Sequence, residues 1–98
     1  MFGVVGIWDV APGGLEEAQL RALKEQVVPG VQQRPGFVAG YWLADRAARK
    51  TYGTFILEDE EAAQGFKAFV EGNAAARERS GVILESLTVA EVIAEAHR

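Results

Sequence analysis

One pattern of residue types occurs twice in the chain, 46 residues apart. In segments 20–25 and 66–71, apolar, basic, alanine, apolar and acidic residues follow in the same order. The apolar stretches on either side coincide at the same offset: 4–10 with 50–56, and 37–43 with 83–89. These stretches are rich in β-branched and aromatic residues, which favours strands. The repeat therefore predicts two successive strand–helix–strand halves.

The element boundaries follow from turn residues and from helical spacing of apolar residues. Ala11–Gly14 is predicted to end the first strand, Leu15 to open the first helix, and Pro29 to kink or end that helix. Asp59 is predicted to cap the second helix, which ends between residues 72 and 79, so that Arg77 lies at an exposed helix end. The four predicted strands are 2–10, 37–44, 51–57 and 82–90.

The predicted order is βαββαβ, and right-handed crossovers place strands 1 and 3 side by side and parallel in the centre, with strands 2 and 4 at the edges. The predicted fold class is α+β: a ferredoxin-like βαββαβ sandwich, in which an antiparallel four-stranded sheet carries two helices on one face. With 98 residues, of which 49% are hydrophobic, we expect a single domain over residues 1–98.

Composition excludes several classes of function. The chain contains no cysteine, which rules out disulfides, thiolate metal sites and a cysteine nucleophile. The net charge of −4 disfavours nucleic acid as a partner. Residues 1–9 contain no basic stretch and no small-residue cleavage site, so no signal peptide is expected. No apolar stretch approaches the roughly 20 residues of a membrane span. A cytoplasmic protein that binds neither nucleic acid nor membrane is expected.

Apolar residues occupy both faces of the predicted sheet, although two helices can cover only one. Strand side chains alternate between faces. In the first strand, one face is predicted to carry Val5 and Ile7 and the other Trp8 and Val10. In the second strand, the two sets are Phe37, Tyr41 and Leu43 on one face and Val38 and Trp42 on the other. In the fourth strand, they are Ile83, Leu87 and Val89 on one face and Leu84, Thr88 and Ala90 on the other. An apolar patch of this size is rarely left exposed on a monomer. We therefore predict a homodimer that packs through the open sheet face.

The chain resembles the dimeric α+β barrel superfamily and, within it, the antibiotic-biosynthesis-monooxygenase-like (ABM-like) group. The resemblance covers nearly the whole chain and rests on the element order and three stretches: Val28-Pro29, the Pro-Gly-Phe-x-x-Gly segment within 34–42, and 57–63 entering the second helix. It implies a dimeric α+β barrel. It also implies that, where the protein is an enzyme, a flat aromatic substrate binds between helices and sheet or inside the barrel and is oxidised without metal or flavin.

The 46-residue offset also groups candidate pocket residues, since positions n and n+46 are expected to share a face. It places Trp8 with Tyr52 and Thr54, and Gly6 beside them makes space for a neighbour. These three residues and Trp42 are the candidate pocket. Asp9 is a further polar candidate, expected at the strand end bound to loop donors. The competing interpretation is that the aromatic residues only fill the core and the dimer interface.

No metal or cofactor is predicted. His97 is the only histidine and lies one residue from the carboxyl end, where a fixed catalytic geometry is not expected. Haem-degrading relatives of the fold use a helix histidine, and this sequence departs from that pattern. Two hypotheses remain: a homodimeric barrel that binds a small hydrophobic or aromatic ligand without assigned activity, or a cofactor-independent monooxygenase of a phenolic or quinol substrate.

Overall fold

The strands and helices follow one another in the predicted βαββαβ order. The structure is a computed structural model that describes residues 1–12, 15–79 and 81–98. Gly13 and Gly14 of the predicted break lie outside the described residues. The elements are β1 (Phe2–Val10), α1 (Glu17–Ala22), a π-helical turn (Leu23–Val27), α2 (Val28–Gln32), β2 (Phe37–Asp45), β3 (Lys50–Leu57), α3 (Glu60–Gly72), α4 (Ala74–Arg79) and β4 (Val82–Glu91).

The four strands form one sheet in the order β2-β3-β1-β4, which confirms the predicted α+β sandwich. All three neighbouring pairs are antiparallel. The predicted parallel pairing of the central strands is therefore wrong. The helical crossover makes β2 run parallel to β1, and the short β2–β3 connection then reverses the chain. Hence β3, lying between them, opposes both.

Pro29 shapes the first helical segment without ending it. A proline has no backbone N–H and its ring clashes with the carbonyl four residues earlier, here that of Glu25. The chain widens into the π-helical turn just before this point, and the Val28 N–H bonds the carbonyl of Leu23, five residues back. The helix then continues through α2 to Gln32. The predicted kink is therefore a π-helical turn.

The second helical segment begins where the sequence predicts. The Asp59 carboxylate accepts a hydrogen bond from the Ala62 N–H at 2.8 Å, so Asp59 is the N-cap of α3. Asn73 separates α3 from α4 and its side-chain amide donates to the Phe69 carbonyl at 2.8 Å. Between residues 72 and 79, where the sequence predicts the end of this helix, the structure has a break at Asn73 followed by the short helix α4.

The core lies between one face of the sheet and the helices. Its largest fully buried side chains are Phe66, Leu57, Val4 and Val70. Phe66 packs on Phe55 of β3 with 4.8 Å between ring centroids. Val31 of α2 also belongs to this core and is 2% exposed. We call this side of the sheet the covered face.

In the described part of the chain no helix covers the opposite side of the sheet, which also carries apolar side chains. Val5, Tyr41, Leu43 and Ile83 are 40%, 68%, 54% and 52% exposed. We call this side the bare face. The prediction that both faces are apolar while the helices cover one is confirmed.

Two bulges change the predicted assignment of residues to faces on the edge strands. The register of β2 against β3 shifts between Phe37 and Ala39, so Phe37 turns to the covered face and lies 6.3 Å from Phe66 between centroids. The register of β4 against β1 shifts opposite Ile7/Trp8, and Leu87 and Val89 pack against the core. An extra residue in one strand reverses the alternation beyond it. The predicted faces of these three side chains are therefore wrong.

Candidate functional site

A cavity of about 320 Å³ lies between the first helical segment and the covered face. Its volume falls within the roughly 300–1,000 Å³ typical of small-molecule pockets. All four strands, α1, the π-helical turn and α4 contribute to its wall. The apolar and aromatic lining residues are Trp8, Leu20, Ala22, Leu23, Val27, Trp42 and Val82, and the polar ones are Gln19, Gln26, Thr51 and Arg77. We call it the tryptophan cavity, since both tryptophans of the chain line it.

Two glycines allow the Trp8 ring to lie against the sheet. Gly6 and Gly53 are directly paired across β1 and β3. A methyl group at Gly6 would overlap the outer edge of the Trp8 ring, and one at Gly53 would lie 3.0 Å from it. The predicted role of Gly6 in making space is therefore confirmed. Trp8 is 4% exposed as a result.

Trp42 is held in place from the core side. Its ring meets Phe55 edge to face, with centroids 5.1 Å apart and an interplanar angle of 74°. Phe55 is itself 2% exposed and packed on Phe66. Edge-to-face contacts of this kind fix ring orientation. The cavity therefore presents two aromatic rings whose positions are set before any ligand arrives.

Arg77 brings a charge into the tryptophan cavity. Its guanidinium carbon lies 5.7 Å from the centroid of the Trp8 ring, within reach of a cation–π interaction. Burial lowers the pKa of Arg77 from its ordinary value, because desolvation disfavours the charged form. The side chain still carries its charge at neutral pH, as arginine does in proteins. The prediction that Arg77 belongs to an exposed helix end is therefore wrong.

The five predicted site residues fall into two groups on opposite faces. Trp8 and Trp42 line the tryptophan cavity. Tyr52 and Thr54 pair with Ile7 and Val5, which places them on the bare face. The residue that shares a face with Trp8 across the strand pair is Thr51.

The predicted grouping of Trp8 with Tyr52 and Thr54 is therefore wrong. An even offset such as 46 preserves strand alternation only if both strands start on the same face. In the observed register Phe2 opposes Leu57, so even-numbered residues of β1 face the same side as odd-numbered residues of β3. Residue n of β1 and residue n+46 of β3 therefore lie on opposite faces of the sheet, as if one strand were shifted by one residue.

Asp9 lies outside the tryptophan cavity. Its carboxylate accepts a hydrogen bond from the Lys50 ammonium at 2.6 Å, and Lys50 also donates to Glu85 at 2.6 Å. All three side chains are at least partly exposed, on the bare face. The expectation that Asp9 binds loop donors is wrong, because its partner is the first residue of β3. The bare face therefore combines this charged cluster with exposed apolar side chains such as Ile83.

Sequence reasoning missed Thr51, Arg77 and the π-helical turn as parts of the site. Thr51 could have been found from the correct strand register, opposite Trp8. Arg77 follows the run 74–76 of three alanines, whose short side chains let a helix lie close to the sheet. Pro29, four residues after Glu25, was the signal for the altered helix.

The chemistry available in the tryptophan cavity is binding by shape, apolar contact and one cation. Among the described lining residues there is no aspartate, glutamate or histidine to act as a general base. His97 lies on the tail after β4, with its side chain 80% exposed and 3.0 Å from Glu95. His97 is not among the described residues that line the cavity.

A second cavity of about 310 Å³ opens beside the start of α3. Its wall includes Arg34, Glu58, Asp59 and Glu61. Asp59 already serves there as the helix cap, and the three acidic residues are exposed to solvent. We take the tryptophan cavity as the candidate site because its lining combines fixed aromatic rings with a desolvated charge.

The strand order, the antiparallel sheet and the helices on one face define a ferredoxin-like α+β architecture. Solved structures share it over the whole chain. A Deinococcus radiodurans protein described as an antibiotic biosynthesis monooxygenase is similar with a TM-score of 0.72 and 20% identity, over 100% of this chain and 97% of that one. The predicted resemblance to this superfamily is thus confirmed at the level of the fold.

A haem degrader from Mycobacterium tuberculosis, MhuD, is similar with a TM-score of 0.65 and 21% identity, over 99% of this chain and 100% of that one; it holds two haems in its active site. A variant of MhuD with two manganese protoporphyrins per active site gives a TM-score of 0.66 and 20% identity, with both chains fully covered. No protein-family model and no curated protein matches the sequence. Within the described residues, no helix is long and apolar enough to cross a membrane.

Proposed function

We propose that this chain binds a small, flat, hydrophobic or aromatic ligand in the tryptophan cavity. The observation that carries the proposal is the pair of immobilised rings, Trp8 and Trp42, at one apolar cavity. Rings that are fixed in advance give contact area without the entropy of ordering flexible side chains. Fold neighbours that hold flat ligands, such as MhuD with its haems, agree with this use of the architecture.

Intrinsic tryptophan fluorescence tests the proposal directly, because both tryptophans line the cavity. Menadione is a suitable probe: it is flat, quenches tryptophan, and meets no cysteine with which to react. We expect saturable quenching in the wild type. Ala22→Phe, which places a ring in the cavity wall, should abolish saturation, whereas Ala68→Phe on the exposed side of α3 should preserve it. Quenching that does not saturate, or that Ala22→Phe leaves unchanged, would overturn the proposal.

Haem does not fit this chain in the manner of a histidine-ligated site. The single histidine, His97, lies on the exposed tail. The described residues that line the tryptophan cavity include no histidine, cysteine, methionine or tyrosine that could serve as an axial ligand.

We further propose that the protein is a homodimer joined through the bare face. The support is the set of exposed apolar side chains that includes Val5, Tyr41, Leu43 and Ile83. Burying such a patch against its own copy satisfies both chains at once. Light scattering should give twice the 10.6 kDa mass of the chain at micromolar concentration. Leu43→Asp should give the single-chain mass, with Ala47→Asp in the exposed β2–β3 connection as the control.

A second candidate function is cofactor-independent oxygenation of a phenolic or quinol ring. Arg77 favours it, since a desolvated guanidinium stabilises the ring anion that reacts with dioxygen. In that reaction the ring CH₂ of the keto tautomer becomes C=O, and the second oxygen atom leaves as water with both hydrogens. The absence of a general base among the described lining residues favours binding alone.

Oxygen uptake with reduced naphthoquinones under metal-free conditions separates the two functions. Turnover above the uncatalysed rate that is lost in Arg77→Gln and kept in Arg79→Gln would support the oxygenase. Saturable binding without oxygen uptake would leave the binding function alone.

A further inference from the structure

Three neutral polar side chains line the tryptophan cavity, and they come from two sides of it. Gln19 and Gln26 belong to the first helical segment, whereas Thr51 belongs to β3 of the sheet. Within the described part of the chain, none of these three side chains has a hydrogen-bond partner in the protein. Each can therefore form a hydrogen bond with a molecule that enters the cavity.

Thr51 is the most firmly placed of the three. It lies in β3 between two neighbouring strands, opposite Trp8 of β1 and Ala44 of β2. Threonine is branched at Cβ, so one stiff torsion angle sets the position of its hydroxyl oxygen. Gln19 and Gln26 are exposed on the helix surface, and fixing their longer side chains costs more conformational entropy. The Thr51 hydroxyl is therefore the polar group that is best fixed in advance.

The surroundings of Thr51 make its hydrogen bond matter for binding. Thr51 is half-buried beside the Trp8 ring, and Trp42 and Val82 line the same cavity. A flat ring that lies in this cavity displaces water from the Thr51 hydroxyl. A ring with an oxygen substituent at that point replaces the lost hydrogen bond, whereas a hydrocarbon ring leaves the hydroxyl unpaired at a cost in free energy.

We propose that Thr51 is the specificity-determining residue of the tryptophan cavity and shifts its preference from aromatic hydrocarbons toward flat aromatic ligands that carry a hydrogen-bonding oxygen on the ring. The inference rests on the proposed ligand-binding function and deepens it by naming the ligand class. The Thr51 hydroxyl both donates and accepts, so this class includes hydroxylated rings and ring ketones. The two tryptophans hold the ring system itself.

A pair of neutral probes, 2-naphthol and 2-methylnaphthalene, tests this selection because a hydroxyl or a methyl group occupies the same ring carbon. Equilibrium dialysis gives the Kd of each. The two probes also differ in hydrophobicity, so the quantity to compare between protein variants is the ratio of the two affinities. Thr51→Val, which replaces the hydroxyl by a methyl group, should lower the preference for 2-naphthol by about two- to tenfold, as suits one neutral hydrogen bond.

Two further variants provide the controls. Thr51→Ser keeps a hydroxyl at this position and should retain most of the wild-type ratio. Thr54→Val makes the same change as Thr51→Val three residues along β3, on the bare face, and should leave the ratio unchanged. Circular dichroism establishes that each variant is folded. If Thr51→Val does not fold, Thr51→Ala, which also lacks the hydroxyl, is measured in its place.

The outcomes separate the inference from the function on which it rests. A ratio that Thr51→Val leaves unchanged would overturn the inference while ring binding stands, and equal weakening of both naphthalenes has the same meaning. Menadione binding by a wild type that binds neither naphthalene would also count against the inference alone. A wild type that binds none of the three compounds would overturn the proposed function as well.

Discussion

Both faces of this sheet carry apolar side chains, but the two faces differ in how far these are buried and in where the charges lie. On the covered face, Trp8 lies over paired glycines and is 4% exposed beside a cavity that contains one cation. On the bare face, Tyr41 is 68% exposed and the charges are gathered into the Asp9–Lys50–Glu85 cluster, whose members neutralise one another in part. One face thus has fixed aromatic rings around a cavity, which suits a ligand. The other has a broad apolar surface, which suits a second protein chain.

The largest expected difference between the faces is in stability. Phe66→Ala should lower the free energy of unfolding by about 3–5 kcal/mol, because it opens a cavity among Phe37, Phe55 and Phe69. Tyr41→Ala on the bare face should cost about 0.5 kcal/mol or less in an otherwise monomeric chain. Urea unfolding of the Phe66→Ala and Tyr41→Ala variants, each made in the Leu43→Asp background, measures the two free-energy costs. Similar costs on the two faces would contradict the assignment of the core.

A smaller effect is expected where the backbone approaches the Trp8 ring. Gly6→Ala should destabilise the fold by about 1–3 kcal/mol, because the added methyl group overlaps the edge of the buried Trp8 ring and forces it to shift. Gly65→Ala on α3, where an added methyl meets no atom within 4 Å, should stabilise slightly. The Tm of each variant, compared with that of the wild type, tests both expectations. Stabilisation by Gly6→Ala would mean that the Trp8 ring is not held where the structure places it.

The N-cap of α3, on the covered face, should contribute still less to the free energy of unfolding. Asp59→Ala should cost about 1 kcal/mol, since the Ala62 N–H loses its acceptor. Asp59→Ser should recover most of this loss, because serine is also a good N-cap residue. The midpoint of urea unfolding is the measurement. Equal loss in both variants would argue against a capping role.

The smallest effect concerns pH and the bare face. Hydrogen bonds to Asp9 and then to Glu85 raise the pKa of Lys50 above its ordinary value. A raised lysine pKa stabilises the fold in full below the pKa of the unfolded lysine, roughly 10.4, and the contribution is lost as pH rises through the folded-state pKa. The Tm difference between wild type and Lys50→Gln should therefore stay constant from about pH 6 to 9 and shrink only at strongly alkaline pH.

The exposed Lys24 provides the comparison for that experiment, since Lys24→Gln removes the same charge from the helix surface. It should leave the pH profile of the wild type unchanged. A Lys50 contribution that changes within the neutral range would show that another group titrates with it.

Much of the fold could be predicted because strand length, turn residues and helix caps are local properties. Phe2–Val10 and the cap at Asp59 are recognisable from neighbouring residues alone. The site could not be predicted from the sequence, because its composition depends on the register between neighbouring strands. A single extra residue at Val38 or near Glu85 reverses which side chains point inward, and no local pattern marks those bulges. Arg77 was missed for a related reason: only tertiary packing brings α4 over Trp8.

Two-dimensional NMR of the chain titrated with menadione tests most directly whether the covered face is the binding face. The account predicts shifts of the Trp8 and Trp42 indole N–H resonances and of the Thr51 amide, with Tyr52 and Thr54 unaffected at ligand concentrations that saturate the site. Shifts centred on Tyr52, Thr54 and Val5, with both indole resonances unmoved, would contradict it and place the ligand on the bare face.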